Sequence, residues 1–235
     1  MIFFYFCDTK DQIQRQRHKS NLKLSSAIPF EPLLSHIRSI LLSGSFWTTG
    51  LISTLMYGSL IVFLANFSLL GINHLHVSHA LYGWLQATVM LSFVLGSFLC
   101  AAFMKKIPIV KWGIMLAIGG SLALLWFTYQ FPRPLFLMAS IIPFNIGAAF
   151  LIGVFSTKVI QLFSESKGLV SSLIGSLRMV ISALFVAFSS FLFDGSFRPL
   201  GWLIFLASLI SLILLLIRSR FFPEHRGLSP NRSIY

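Results

Sequence analysis

Residues 169–191 read LVSSLIGSLRMVISALFVAFSSF, an apolar run interrupted by one ionisable side chain, Arg178. A helix needs about 20 mainly apolar residues to cross the hydrocarbon core of a bilayer. This stretch meets that requirement, and an open sheet edge is not an alternative, because lipid cannot satisfy its backbone groups. Arg178 is expensive at such a position, about 2.5–3.5 kcal/mol at a helix centre on insertion scales. On a helix, Ser171, Gly175, Arg178, Ser182 and Ser189 fall in a narrow arc, spaced by three, four or seven residues. Such a small and polar stripe belongs against other helices or water rather than lipid tails. Arg178 is therefore expected to face a cavity or the interior of a helix bundle.

Five further segments have the same character, so the predicted spans are 46–70, 80–103, 112–130, 135–157, 169–193 and 200–217. Composition agrees: 56% of residues are hydrophobic and 10% charged, with a mean hydropathy of +0.85. Soluble domains carry about 25% charged residues, so a water-facing surface cannot be built from this chain. The fold class expected is an all-α membrane protein, with residues 46–217 as a six-helix bundle. Residues 1–45 read as the end of a truncated span followed by a basic cytoplasmic linker, and 218–235 as a basic cytoplasmic tail. FPRP and DGSFRP are short turns, which predicts that the last four spans form two tight hairpins. No convincing internal repeat is visible in the sequence.

The net charge of +12 does not indicate nucleic acid, because the basic residues sit in loops at membrane edges. Lys10, Arg15, Arg17, Lys19, Lys23 and Arg38 precede the first span. Lys105, Lys106 and Lys111 follow the second, Lys158 and Lys167 the fourth, and Arg218, Arg220, Arg226 and Arg232 the sixth. The opposite loops hold only Arg133 and Arg198. By the positive-inside rule both termini are cytoplasmic.

Within the spans, the acids that would pair with Arg178 are absent: Asp8, Asp11, Glu31, Glu165, Asp194 and Glu224 all lie in loops, tails or at a membrane edge. The expected partner of Arg178 is therefore outside the chain, or is a backbone carbonyl, water or an anionic substrate. Thr49, Ser53 and Tyr57 share a face of the first span, Asn145 and Ser156 one of the fourth, and Gln86 sits near the outer end of the second. Hydroxyls and amides more often join membrane helices than bind substrate. Pro143, with Gly147 and Gly153 behind it, is expected to kink or loosen the fourth span, and Gly147 and Gly96 are candidates for gating or close packing. His74, His76 and His79 match no metal-binding spacing and read as solvated loop residues, and Cys7 and Cys100 are too far apart for a disulfide framework. No nucleotide-binding loop, HExxH helix or GxSxG elbow is present. The expectation is a non-enzyme without metal or cofactor.

Three stretches carry a family resemblance. FLANFSLLGINHLHVSHALYGWLQA, LGSFLCAAFMKKIPIVKWGIMLAIGG and ESKGLVSSLIGSLRMVISAL resemble, in order, the span seven to eight region, the span eight to nine turn and the start of span eleven of a major facilitator superfamily transporter. The likeness extends over about residues 35–217 and is greatest to the bicyclomycin/chloramphenicol-resistance (Bcr/CflA) drug-efflux family. IFFYF followed by Asp8 and Thr9 resembles the end of that family's span six. Two positions depart from the pattern: Ile152-Gly153, where the family often has Pro after Gly, and Arg178, at the family's Gln position.

The resemblance implies the C-terminal six-helix half of a secondary transporter in the cytoplasmic (inner) membrane, exporting drugs or other small molecules by proton antiport. It implies a cavity wall built from spans one, two, four and five, with Tyr57, Asn145 and Arg178 near the substrate, accompanied by Ser171, Gly175 and Ser182. The partners expected are the lipid bilayer, a small-molecule substrate, and a separate N-terminal half or a second copy, with no nucleic acid. Two other readings remain open: a non-functional fragment of a disrupted transporter gene, and a polytopic scaffold or enzyme of another class.

Overall fold

Apolar residues in a bilayer leave the backbone one way to satisfy its polar groups within a segment, and that is the helix. The computed structural model describes residues 37–73, 78–103, 108–130, 133–163 and 166–221. It divides into two units, Met1–Ser43 and Gly44–Tyr235. The described part of the first is a short helical segment over 37–42. The second holds six helices: α1 Gly44–Asn73, α2 His79–Phe103, α3 Ile109–Gln130, α4 Pro134–Leu162, α5 Lys167–Phe191 and α6 Arg198–Phe221. No strand occurs among the described residues. The segment at the chain's opening, Cys7, His74, His76 and the tail from residue 222 lie outside the described residues.

The shortest helix, α3, has 22 residues and the longest, α1, has 30, or about 33 and 45 Å at 1.5 Å per residue. All six are long and apolar enough to cross a membrane, whose hydrocarbon core is about 30 Å thick. Each overlaps one of the six predicted segments, and α5 stops at Phe191, two residues before the predicted end of its span. α4 begins with Pro134 in its first turn, where the missing N–H costs nothing. It continues unbroken through Pro143 to Leu162.

Helices α1 and α4 form the centre. Of their apolar stretches 72% and 67% are buried, against 22% of α2 and 17% of α5. α1 packs on α4, α5 and α6, whereas α4 packs on α1, α2 and α3, and α3 meets α6. Exchanging α1 with α4, α2 with α5 and α3 with α6 leaves this scheme unchanged. Each triplet has an odd number of crossings, so the two run in opposite directions through the membrane. The packing scheme thus has an exchange symmetry that the side chains do not show.

Glycines allow α4 its close neighbours. A Cβ on Gly120 of α3 would overlap the Phe144 backbone nitrogen and lie 2.8 Å from the Phe144 Cβ. One on Gly147 would lie 2.5 Å from the Gly113 carbonyl oxygen and 2.6 Å from the Ala117 nitrogen, and one on Gly96 of α2 would lie 2.9 Å from the Ile146 Cα and the Ala149 Cβ. Between membrane helices van der Waals contact replaces the hydrophobic effect as the cohesive force, and small residues let backbones approach. Gly147 and Gly96 therefore sit at helix-packing contacts.

The α3–α4 pair is the close hairpin that its short turn predicts. The α5–α6 pair is not. Its helices barely touch beyond the turn, and an apolar groove of about 800 Å³ lies between them, lined by Leu184, Phe188, Trp202 and Leu206 among others. The turn fixes where the helices begin to separate, but each finds its main contact on α1. Asp194 shapes that turn: its Oδ1 accepts hydrogen bonds from the Ser196 N–H (2.9 Å) and hydroxyl (2.7 Å). Gly195 takes φ 80°, the left-handed region in which a side chain is strained.

Candidate functional site

Arg178 stands eleven residues into α5, about 16 Å along the helix from Lys167. Helical side chains point toward their own N-terminus, and Arg178 follows this by reaching α4. Its Nη2 donates to the Ser156 hydroxyl, which in turn donates to the Ile152 carbonyl of the turn before it. The guanidinium carbon also lies 5.8 Å from the centre of the Tyr57 ring on α1, within cation–π range. The Nε atom is buried and has no hydrogen-bond partner.

These groups border a cleft of about 430 Å³ where α1, α2, α4 and α5 meet. Tyr57, Phe93, Ser97, Ile152, Gly153 and Arg178 are among the residues that line it. The walls are chiefly apolar, with one positive charge set into them. Arg178 finds a neutral hydroxyl and an aromatic face, neither of which the sequence identified as its partner. Among the described residues Asp194 is the only acid, and it lies sixteen residues further along the chain from Arg178.

The other predicted site residues divide. Tyr57 is half-buried at the cleft. Asn145 is fully buried away from it, and its Nδ2 donates to the Val89 carbonyl (3.2 Å) and the Ser92 hydroxyl (3.1 Å) of α2. The Val89 oxygen can only accept, so it fixes the amide orientation and leaves the Asn145 Oδ1 without a partner. Ser182 is buried with its hydroxyl unpaired. Ser171 is exposed, and a Cβ on Gly175 would meet open space. Pro143 lies within α4, next to the Phe144 contact with Gly120.

Phe93, Ser97 and Cys100 were missed as lining residues, as were Ala149, Ile152 and Gly153. Their helical spacing of three, four and seven was available in the sequence. Every apolar span offers several such arcs, however, and nothing local marks which one borders a cleft.

A second cationic site occupies the basic end of the bundle. Arg218 Nη1 donates to the Thr49 hydroxyl (2.6 Å), and its guanidinium lies 5.5 Å from the Phe155 ring centre, with the Lys158 ammonium 6.0 Å from the same centre. At the opposite end, Trp202 Nε1 donates to the Tyr129 hydroxyl (3.1 Å), and Arg198 stacks over Tyr129 at 5.0 Å. These contacts tie α1, α4 and α6 at one end and α3 and α6 at the other. No group of three or more metal-ligating side chains occurs among the described residues.

No protein-family model matches this chain, and no curated protein matches it. What its fold and composition define is a class: a multi-pass membrane protein of six apolar helices, with a guanidinium in a cleft between four of them.

Proposed function

We propose that the chain is the C-terminal six-helix half of a major facilitator superfamily secondary transporter, most like the Bcr/CflA drug-efflux family. It moves small molecules by proton antiport against a second six-helix half. The observation that carries this reading is the Arg178 cleft at the meeting of α1, α2, α4 and α5, partway across the membrane. Transporters of this superfamily hold substrate near the midplane between their halves, and each half contains two inverted three-helix repeats. The exchange symmetry of α1–α3 with α4–α6 supports the same reading. So does the extensive exposure of α2 and α5, the helices that a second half would cover.

In this reading the coupling carboxylate belongs to the other half, because no Asp or Glu lies inside a span here. The loop charges support both termini facing the cytoplasm, and the host membrane in this reading is the cytoplasmic (inner) one. The test is co-expression with a candidate N-terminal half, followed by copurification and drug uptake into inverted vesicles driven by a proton gradient. Gradient-dependent uptake that falls about tenfold or more in Arg178→Gln is expected, the scale of losing a charge-assisted contact. Copurification without uptake would leave a membrane scaffold, and neither result would leave a non-functional fragment.

A further inference from the structure

We infer that the Arg178 cleft selects amphipathic carboxylates, with the apolar body of the ligand against Phe93 and Ile152 and its charge on the guanidinium. This rests on reading the cleft as the substrate site. Arg178 lacks a full set of partners. A guanidinium carries five N–H donors and no acceptor. Its Nη2 is taken by Ser156, whose own proton goes to the Ile152 carbonyl. That hydroxyl satisfies a donor without offsetting the charge. The Tyr57 ring face offsets part of it. The buried Nε–H has no partner. Asp194, the acid among the described residues, lies beyond the end of α5, which runs a further thirteen residues from Arg178 to Phe191, about 20 Å of helix.

A positive charge in apolar surroundings, with no counter-ion beside it among the described residues, makes strong demands on its ligand. A cationic ligand would be repelled, and a neutral one would leave the charge uncompensated. A carboxylate meets both needs, because it accepts hydrogen bonds from the guanidinium edge and neutralises the charge. The cleft volume of about 430 Å³ lies at the lower end of the roughly 300–1,000 Å³ typical of small-molecule sites. A one- or two-ring acid or a medium-chain fatty acid is of that size.

The experiment uses the full chain in phosphatidylcholine nanodiscs, with empty nanodiscs as the blank. Calorimetry compares 1-naphthoate with its neutral isostere 1-naphthamide. We expect naphthoate to bind about tenfold more tightly, in keeping with the strength of charge-assisted hydrogen bonds. Arg178→Gln abolishes the preference, whereas Arg218→Gln, which removes a charge at the basic end, leaves it intact. Ser97→Trp fills the cleft, retains Arg178 and lowers the affinity for both probes, so the inference stays testable should Arg178→Gln not fold. Laurate supplied within the bilayer competes with naphthoate supplied from water; a response to laurate alone assigns the anion to the lipid phase and still supports the inference. Equal binding of naphthoate and naphthamide, no binding of any probe, or a preference that survives Arg178→Gln overturns it. Drug uptake by the paired halves without carboxylate preference would sink this inference alone. Carboxylate binding by a chain that moves nothing would sink the transport reading alone.

Discussion

Arg178 is half-buried and Asn145 fully buried in the bundle, and the two side chains do different work. Arg178 is held by Ser156 at the edge of a cleft, while Asn145 joins α4 to α2 and is not among the residues that line the cleft. Ser156→Ala removes the acceptor and strands a guanidinium donor, at an expected cost of about 1–2 kcal/mol. Asn145→Ala removes both hydrogen bonds to α2, together with an oxygen that has no partner, at an expected cost of about 1–2 kcal/mol. Unfolding titrations in mixed detergent measure both. The discriminating measurement is naphthoate affinity, which is expected to fall in Ser156→Ala and to stay unchanged in Asn145→Ala. A drop in both would return Asn145 to the site. Sequence reading found Arg178 because charge is costly in lipid wherever it sits. It could not separate Asn145 from the site, because an amide inside a span looks the same whether it faces a ligand or a helix.

At the scale of the helix, neighbouring glycines give a sharp comparison. A Cβ at Gly119 meets nothing within 4 Å, whereas one at Gly120 runs into the Phe144 backbone. Gly119→Ala is expected to be neutral to slightly stabilising. Gly120→Ala must push α3 from α4, at about 1–3 kcal/mol by the usual cost of overpacking. Thermal denaturation of the purified variants checks the difference, and equal melting temperatures would sink the proposed close contact. The α5–α6 turn gives a pH prediction. Hydrogen bonds from the Ser196 hydroxyl and N–H hold the exposed Asp194 carboxyl below the usual carboxylate range. A carboxyl with a depressed folded pKa stabilises the turn above its unfolded pKa, and the effect is lost as pH falls through the folded value. The Ser196 amide shift, followed by NMR against pH, is expected to titrate below the ordinary Asp value of about 3.9, and the step is expected to vanish in Asp194→Ala. A midpoint at or above the ordinary value would contradict the hydrogen bonds.

At the scale of the molecule, the arrangement of four helices about α1 and α4 leaves α2 and α5 largely uncovered. A partner half would bury those two helices in preference to α3 and α6. Spin labels at Leu95 on α2 and Leu184 on α5, both exposed, are therefore expected to lose mobility when the second half is added. A label at Met115 on α3, also exposed, is expected to remain unchanged. Immobilisation at Met115 alone would place the partner on the wrong face.

The sequence by itself determined the class, the number of helices and the depth of Arg178, because each follows from an energy that a segment meets alone. A run of about 20 apolar residues must be helical in lipid, and a charge within it is costly whatever surrounds it. Only the tertiary structure decided which helices are central, that α5 and α6 separate beyond their short turn, and that Ser156 and Tyr57 meet Arg178. The close approach of α2 and α3 to the central α4 depends on Gly96, Gly113, Gly120 and Gly147. Outside a few polar positions such as Arg178 and Asn145, most helix faces of this chain are comparably compatible with lipid. Hydrophobicity therefore cannot choose among the faces, and the choice falls to shape.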